Sequence, residues 1–194
     1  MVEESVDRFI AAAADAYRST GNARATTVAD ILVGHITGAA TLRSVQPPAA
    51  AHLGAAARAS GSRAAVHELA PAIESLDWTE GNLPVPPSLP GRYCFVTLVG
   101  DGSARPDQRL LFGLYLQAPH TYYPSHWHHA EELYFVLSGE AEWAQGGGAL
   151  ALRPPGTLVH HAPDEPHTMV TGDQPLLAMW AWLGDLGFDS YRFG

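Results

Sequence analysis

The side chains that could do chemistry are concentrated in one short segment, residues 122–134, which combines imidazoles, carboxylates and phenols. His126 and His128 lie two positions apart, so on a β-strand both imidazoles point to the same face. Glu132 follows four positions after His128. Divalent first-row metals accept imidazole nitrogens together with a carboxylate, and such a site keeps positions open for substrate or water. The segment therefore predicts a metal site.

The composition of the chain limits the kind of protein in which this predicted site can lie. The chain has 194 residues, 46% of them hydrophobic, as expected for one globular core with an N-terminal helical addition. A net charge of −9, from 11 Lys and Arg against 20 Asp and Glu, provides no basic surface for nucleic acid. Cys94 is the one cysteine, so thiolates do not build the site. The acidic N-terminus and the lack of a long apolar run predict a cytoplasmic protein without membrane contact.

The N-terminal part of the chain has helical patterning. Apolar side chains spaced by three and four positions predict an amphipathic helix over residues 3–18, ended near Gly21. Alanine-rich segments at 27–36 and 48–69 favour helix, but glycines within or directly after them interrupt it: Gly34, Gly38, Gly54 and Gly61. A segment rich in proline and glycine at 81–91 prevents regular structure. We therefore divide the chain into a helical extension with a proline-rich join, 1–90, and a second part, 91–194.

The second part has the texture of an all-β barrel or sandwich. Short runs of β-branched, aromatic and aliphatic residues alternate with glycine, proline and aspartate. The predicted strands are 93–99, 110–117, 126–128, 132–137, 141–144, 149–152, 157–160, 167–170 and 176–183. Glu131 competes with Glu132 as the carboxylate ligand, and strand alternation favours Glu132 because it shares a face with Tyr134.

Two motifs resemble those of the cupin superfamily. The spacing His126-x-His128-x3-Glu132-x6-Gly139 is similar to the first cupin motif, with His120 at its leading glycine position. The spacing from Gly156 to His167 is similar to the second, with Ala162, Asp164 and Thr171 in place of its proline, second glycine and asparagine. Asp tolerates the left-handed turn that a glycine would otherwise supply. The resemblance implies a single-domain cupin β-barrel (double-stranded β-helix or jelly roll) with a metal inside.

The remaining histidines lack such support. The first group has no partner at ligand spacing and is interpreted as ordinary surface or core residues: His35, His52, His67 and His120. The second group lies beside the predicted ligands or before the turn of the second motif, and is interpreted as structural or supporting: His129, His160 and His161.

Aromatic residues narrow the resemblance to one family of cupins. Tyr123 precedes the first ligand, Tyr134 follows the carboxylate, and Trp180 and Trp182 lie on the last predicted strand. With the helical extension, this arrangement resembles the cupin-type dimethylsulfoniopropionate (DMSP) lyases of marine bacteria, especially the DddQ type. The resemblance implies His126, His128, Glu132 and His167 as metal ligands, Tyr134 as the catalytic base and Tyr123 as a catalytic phenol that contacts the substrate. It leaves open whether Tyr134 or His126 completes the metal sphere.

The implied reaction suits these residue types. Removal of a proton beside the substrate carboxylate, with departure of dimethyl sulfide, leaves acrylate, and a metal on that carboxylate would stabilise the developing charge. Aromatic faces bind a sulfonium cation, and the sequence offers five for this purpose: Tyr122, Tyr123, Trp127, Trp180 and Trp182. Structural core is the competing interpretation of the last two. The N-terminal helices and the loop around residues 34–38 form a hypothetical lid over the barrel mouth.

Two other functions use the same residues. An iron-dependent cupin dioxygenase acting on a small thiol or carboxylate would need the same four ligands with positions open for oxygen. A metal-stabilised binding module is less favoured because neither a DNA-binding helix pair nor a basic surface accompanies the predicted barrel. The donor set admits one divalent metal, with zinc or iron foremost and manganese, nickel or cobalt compatible. The expected partner is a small sulfonium carboxylate, and the protein is expected to be a monomer or a homodimer.

Overall fold

Four α-helices form the N-terminal part of the protein in a computed structural model that describes residues 1–60 and 64–194. They are α1 (Val2–Ser19), α2 (Ala23–Leu32), α3 (Leu53–Ala59) and α4 (Ala64–Leu69), with 3-10 turns at Val33–His35, Pro48–His52 and Ile73–Ser75. The predicted helix over 3–18 is confirmed, and Gly21 follows it with φ 68°. The second helix begins earlier than predicted because the Asn22 side chain accepts hydrogen bonds from the backbone N–H groups of Arg24 and Ala25. Gly61 lies outside the described residues.

Strands begin after the proline-rich join. They are β1 (Tyr93–Val99), β2 (Leu110–Gln117), β3 (Tyr122–Trp127), β4 (Ala130–Ser138), β5 (Ala141–Gln145), β6 (Ala151–Arg153), β7 (Leu158–His161), β8 (His167–Thr171), β9 (Leu176–Gly184) and β10 (Arg192–Phe193), with a 3-10 turn at Phe188–Ser190 before β10. The bounds of β1 and β2 are those predicted, and β10 was not predicted.

The strands form two five-stranded antiparallel sheets. The first sheet has the order β1-β2-β9-β4-β7 and the second sheet the order β10-β3-β8-β5-β6. Consecutive strands alternate between the two sheets over much of this part of the chain, as in a jelly roll. The predicted all-β cupin barrel is therefore confirmed.

The first sheet is covered on both sides. All positions of β2 are buried, and β4 and β9 are almost as fully enclosed, which explains why their sequences are apolar without alternation. One face packs on the helices, where the Phe9 ring of α1 stacks on Phe112 at a centroid distance of 6.1 Å. The other face lines the barrel interior with tyrosine and tryptophan side chains. Helices and first sheet share one hydrophobic cluster, and the division at residue 90 stays a prediction.

The segment 34–38 contacts the loop between β1 and β2. The Gly38 carbonyl accepts a hydrogen bond from Arg105 at 2.8 Å, and His35 Nε2 lies 2.8 Å from Asp107 Oδ2. Both partners belong to the loop between β1 and β2, so this part of the proposed lid is packed beside that loop. In the described part of the chain, the helices are too short or too polar to cross a lipid bilayer.

Candidate metal centre

Strand pairing brings the two cupin motifs together inside the barrel. His126 on β3 is the direct cross-strand partner of His167 on β8 in the second sheet. His128 lies in the turn between β3 and β4, and Glu132 is on β4 of the first sheet. All four side chains are buried. The predicted ligands from two sequence motifs therefore meet between the two sheets.

Three of these side chains form a compact donor group. Ligand atoms of His128, Glu132 and His167 lie within 4.8 Å of one another. Glu132 Oε2 is 3.2 Å from His128 Nε2 and 3.2 Å from His167 Nε2. His126 lies outside this group of three, but its ring centroid is only 4.0 Å from that of His167. The geometry thus leaves open whether His126 is a fourth ligand.

The hydrogen bonds of the imidazoles fit metal binding. Nδ1 of His126 lies 2.9 Å from the Pro124 carbonyl oxygen, Nδ1 of His128 is 3.1 Å from that of Ala130, and Nδ1 of His167 is 2.9 Å from that of Glu165. Because a carbonyl oxygen can only accept, each Nδ1 must carry the proton. In the neutral ring each Nε2 then presents its lone pair, the form in which histidine binds a metal.

Burial and neighbouring charges set the ionisation of this group. Burial holds the pKa of His126 well below its usual value. For Glu132 burial opposes ionisation, but the positive charge and the Nε2–H hydrogen bonds of protonated His128 and His167 outweigh it and hold the pKa well below the usual range. A bound divalent cation would take the place of these protons. A carboxylate and neutral imidazoles are the protonation states that bind a divalent cation. The residues therefore fit a metal ion.

Strand alternation separates the two neighbouring glutamates as predicted. Glu132 faces the interior, where its Oε1 accepts a hydrogen bond of 2.7 Å from the Trp182 indole N–H. Glu131 faces outward and pairs with Arg24 of α2 and with His160, whose Nε2 is 2.7 Å from Glu131 Oε1. Trp182 thus contacts a ligand directly, a role that the sequence did not indicate.

An aromatic cavity adjoins Glu132. Its lining consists of Leu83, Tyr93, Phe95, Tyr115, Tyr123, Glu132, Tyr134, Trp180, Trp182 and Tyr191. Four of the aromatic residues proposed from the sequence are among them: Tyr123, Tyr134, Trp180 and Trp182. Burial, reinforced by the charge of Glu132, raises the pKa of Tyr134 well above its usual value. A phenolate there requires a compensating cation.

Tyr122 and Trp127 lie elsewhere. Tyr122 is 59% exposed, because its neighbour Tyr123 points inward and adjacent strand residues face opposite sides. Trp127 also alternates with the inward His126, and its ring lies beside the backbone of Gly194. The structure therefore does not bring these two predicted substrate-binding residues to the cavity.

Tyr191 is a site residue that sequence reasoning missed. Its ring stacks on His126 and on His128, at centroid distances of 5.2 and 5.4 Å, and its hydroxyl is 3.0 Å from that of Tyr123. It belongs to the C-terminal segment, which carries no motif and reaches the site because β10 pairs with β3. A pattern-based signal for this residue is absent from the sequence.

Comparisons of sequence identify a family. The sequence profile of the dimethylsulfoniopropionate lyase family matches residues 35–178. The DMSP lyase DddQ of Ruegeria pomeroyi is 38% identical over 96 residues, 49% of this chain and 47% of that protein. The DddL protein of Cereibacter sphaeroides is 34% identical over 143 residues, 71% of this chain and 60% of DddL. The matches thus span about half to three-fifths of these curated relatives.

Comparisons of structure agree with the fold. The crystal structure of DMSP lyase DddQ from Ruegeria pomeroyi superposes with a TM-score of 0.68 at 25% identity, covering 92% of this chain and 96% of that one. A structure described as the DMSP lyases RdDddP and RnDddQII gives a TM-score of 0.73 at 23% identity over 100% of both chains. Because the family profile covers most of the chain, including both motifs of the metal centre, this protein belongs to the dimethylsulfoniopropionate lyase family.

Proposed function

We propose that this protein is a metal-dependent carbon–sulfur lyase that converts DMSP to dimethyl sulfide and acrylate. The observation that carries the proposal is the position of the Tyr134 phenol in an aromatic cavity that Glu132 also lines, with Glu132 in contact with two imidazoles. Family membership supports DMSP as the substrate.

The metal would be held by His128, Glu132 and His167, with His126 or the Tyr134 oxygen as a further ligand. A divalent ion there would supply Lewis acidity to the substrate carboxylate. Imidazole and carboxylate suit zinc and iron as well as manganese, nickel and cobalt. The proposed ligands are buried, and electrostatic interactions are stronger in a buried site than in water.

Tyr134 is the proposed base. Its phenolate oxygen takes the proton from the carbon beside the substrate carboxylate, the electron pair of that C–H bond forms the carbon–carbon double bond, and the carbon–sulfur bond breaks. Dimethyl sulfide leaves with the sulfur electron pair, and acrylate remains. Because burial and Glu132 oppose loss of the phenol proton, the cationic substrate or a bound metal must stabilise the phenolate.

The other aromatic residues orient the substrate. Tyr123, in contact with Tyr191 through their hydroxyls, can donate a hydrogen bond to the substrate from inside the cavity. Trp180 and Trp182 present ring faces, which attract a sulfonium cation without a fixed negative charge. The cavity thus matches a small molecule with one cationic and one anionic end.

Turnover by purified protein tests the proposal. Headspace gas chromatography should detect dimethyl sulfide from DMSP equally in air and under argon, whereas a dioxygenase would require oxygen. Chelation should abolish the release, and a redox-inert metal such as zinc should restore it. Absence of product from fully metal-loaded protein would contradict the proposed activity.

Tyr134→Phe tests the base directly. We expect this variant to keep its metal and to lose activity by about 100-fold or more, because general-base catalysis contributes on that order. Tyr17→Phe is the matched control, since Tyr17 is equally buried but lies in the helix–sheet cluster, with its hydroxyl 3.4 Å from the Leu133 carbonyl oxygen. Full activity of Tyr134→Phe would refute the assignment.

A further inference from the structure

His161 is a buried imidazole beside the metal centre that the proposed mechanism does not use. It lies on β7 and is the direct cross-strand partner of Glu132 on β4. Because adjacent strand residues face opposite sides, His161 is completely buried in the barrel while His160 points outward to Glu131. His161 therefore occupies the same layer of the interior as Glu132.

Two contacts of His161 lead to one predicted ligand, His167. Its ring stacks on that of His167, with the centroids 3.9 Å apart and the planes 13° from parallel. Its Nδ1 lies 3.3 Å from Oε2 of Glu165. The backbone carbonyl of the same Glu165 accepts the Nδ1 hydrogen of His167 at 2.9 Å. His161 thus contacts the face of the His167 ring. It also contacts the side chain of Glu165, the residue whose backbone carbonyl accepts the hydrogen bond of His167.

The Glu165 side chain is itself held in place. The backbone N–H of Ala162 donates to Glu165 Oε2 at 3.2 Å, so the carboxylate bridges the turn between β7 and β8. A carboxylate accepts, so Nδ1 of His161 carries a proton and its Nε2 is unprotonated in the neutral ring. In the described part of the chain this buried Nε2 has no hydrogen-bond partner. His161 is therefore buried with a hydrogen-bond partner at Nδ1 and none among the described residues at Nε2.

We propose that His161 is a positioning residue for His167, acting through the ring stack and through Glu165. Rotation of an imidazole about its Cβ–Cγ bond is broad and weakly restricted. One hydrogen bond at Nδ1 fixes a point of the ring, and a second ring stacked on its face fixes the plane. The lone pair of His167 Nε2 is then held in the direction of Glu132 Oε2. This inference rests on the metal centre of the proposed function.

Cobalt binding without substrate tests this role. Using Co²⁺ as the probe, we expect His161→Ala to weaken binding by about 10- to 100-fold, the range measured when partners of metal ligands are removed. The visible absorption bands of bound Co²⁺ should also shift, because they report ligand geometry. His161→Phe keeps an aromatic face and should recover part of the affinity. His160→Ala, one position away on the outward face, is the matched control and should bind like the unaltered protein.

Glu165→Ala tests the contribution of the Glu165 carboxylate separately from that of the stacked rings of His161 and His167. This change removes the carboxylate but keeps the backbone carbonyl that His167 uses, and the side chain is partly exposed, so folding is not at risk. We expect Co²⁺ binding about 10-fold weaker than in the unaltered protein. Circular dichroism verifies that each variant is folded. If His161→Ala does not fold, the Co²⁺ affinity of Glu165→Ala decides whether the inference holds.

Several outcomes would overturn the inference. Unchanged affinity and spectrum in His161→Ala would do so, as would equal losses in His161→Ala and His161→Phe, or unchanged binding in Glu165→Ala. If the unaltered protein does not bind Co²⁺, the proposed metal centre fails together with this inference. If it binds Co²⁺ and the variants bind equally well, only the role of His161 is refuted.

Discussion

Glu132 uses its two carboxylate oxygens for different purposes. Oε1 accepts the Trp182 indole N–H at 2.7 Å, whereas Oε2 lies 3.2 Å from Nε2 of both His128 and His167. Anchoring one oxygen restricts rotation of the carboxylate and keeps the other directed at the imidazoles. Partners of this kind orient metal ligands and tune their affinity. Trp182 therefore both lines the aromatic cavity and orients the Glu132 carboxylate.

Trp182→Phe should weaken metal binding. The substitution keeps an aromatic ring in the core but removes the donor to Glu132, and we expect an affinity loss of about 10-fold or more by chelator competition. Trp180→Phe is the matched control for this measurement, because the buried Trp180 N–H has no partner among the residues that the structure describes. Equal metal affinity in the two variants would contradict the role of the hydrogen bond.

Single residues differ in how far the sequence could predict them. His126, His128, Glu132 and His167 follow from motif spacing, which is a local property. Strand alternation adds to this for Glu132, but not for His128, because β3 ends at Trp127 and His128 lies in the following turn instead of on the predicted strand 126–128. The contacts of Tyr191 and His161 depend on β3–β10 and β4–β7 pairing, which no spacing rule encodes. Alternation along β3 places Tyr122 and Trp127 on the face opposite to Tyr123 and His126, so proximity in sequence to the motif does not bring them to the cavity.

Positive backbone dihedrals occur at motif turns. Gly139, the last residue of the first cupin motif, has φ 67°, and a Cβ built there would lie 2.0 Å from the Pro175 carbonyl oxygen. Asp164, which replaces the second glycine of the second motif, has φ 61°. The left-handed turn expected at Asp164 is thus confirmed. At Gly139 a left-handed backbone coincides with a close approach of another chain segment.

Gly139→Ala should destabilise the barrel more than a glycine change at an open turn. A left-handed alanine costs about 1–2 kcal/mol, and the clash with Pro175 adds roughly 1–3 kcal/mol through backbone displacement. Gly147→Ala is the control, since φ is 76° there but no atom lies within 4 Å of the built Cβ. Urea denaturation measures both losses in the free energy of unfolding, and equal losses would show that the close approach is relieved without cost.

Elements differ in predictability for a physical reason. Strands such as β1 and β2 have dense β-branched and aromatic sequences bounded by turn residues, so their bounds follow from local preference. The strand β10 has only two residues and exists because its partner β3 is present. The helix α2 begins at the Asn22 cap, a local feature that the apolar pattern alone did not locate.

The helices and the first sheet bury one continuous core. Phe9 and Tyr17 of α1 contact Phe112 of β2, and Tyr17 also contacts Phe135 of β4. The same cluster includes residues of α2, α3 and α4. A helical extension packed in this way contributes to barrel stability, so we expect the two parts to unfold together.

Phe9→Ala tests this cooperativity. Truncating a buried phenylalanine costs about 3–5 kcal/mol, and here the cavity opens between the helix and the sheet. Circular dichroism follows the helices, and fluorescence follows the five tryptophans, which all lie outside the α-helices. Both transitions should shift to lower urea together, whereas Asp15→Ala, at an exposed position of α1, should shift neither by more than about 0.5 kcal/mol. Separate transitions would show that the extension unfolds independently.

Ionic contacts also connect the helical part with the barrel. Asp107, in the loop between β1 and β2, contacts both His35 and Arg109. Hydrogen bonds from the Arg109 side chain are the main reason why the pKa of Asp107 is far below its usual value of 3.8, and His35 Nε2 at 2.8 Å adds to the effect. A lowered pKa stabilises the folded state at neutral pH, and this contribution is lost as the pH falls below about 4.

Asp107→Asn should therefore unfold at lower urea than the unaltered protein at pH 7, with a difference that narrows from pH 4 downward. Asp101→Asn, at an exposed position of the same loop, should change the free energy of unfolding at pH 7 by no more than about 0.5 kcal/mol. A difference for Asp107→Asn that stays constant from neutral to acidic pH would show that the ionised carboxylate does not supply this stability.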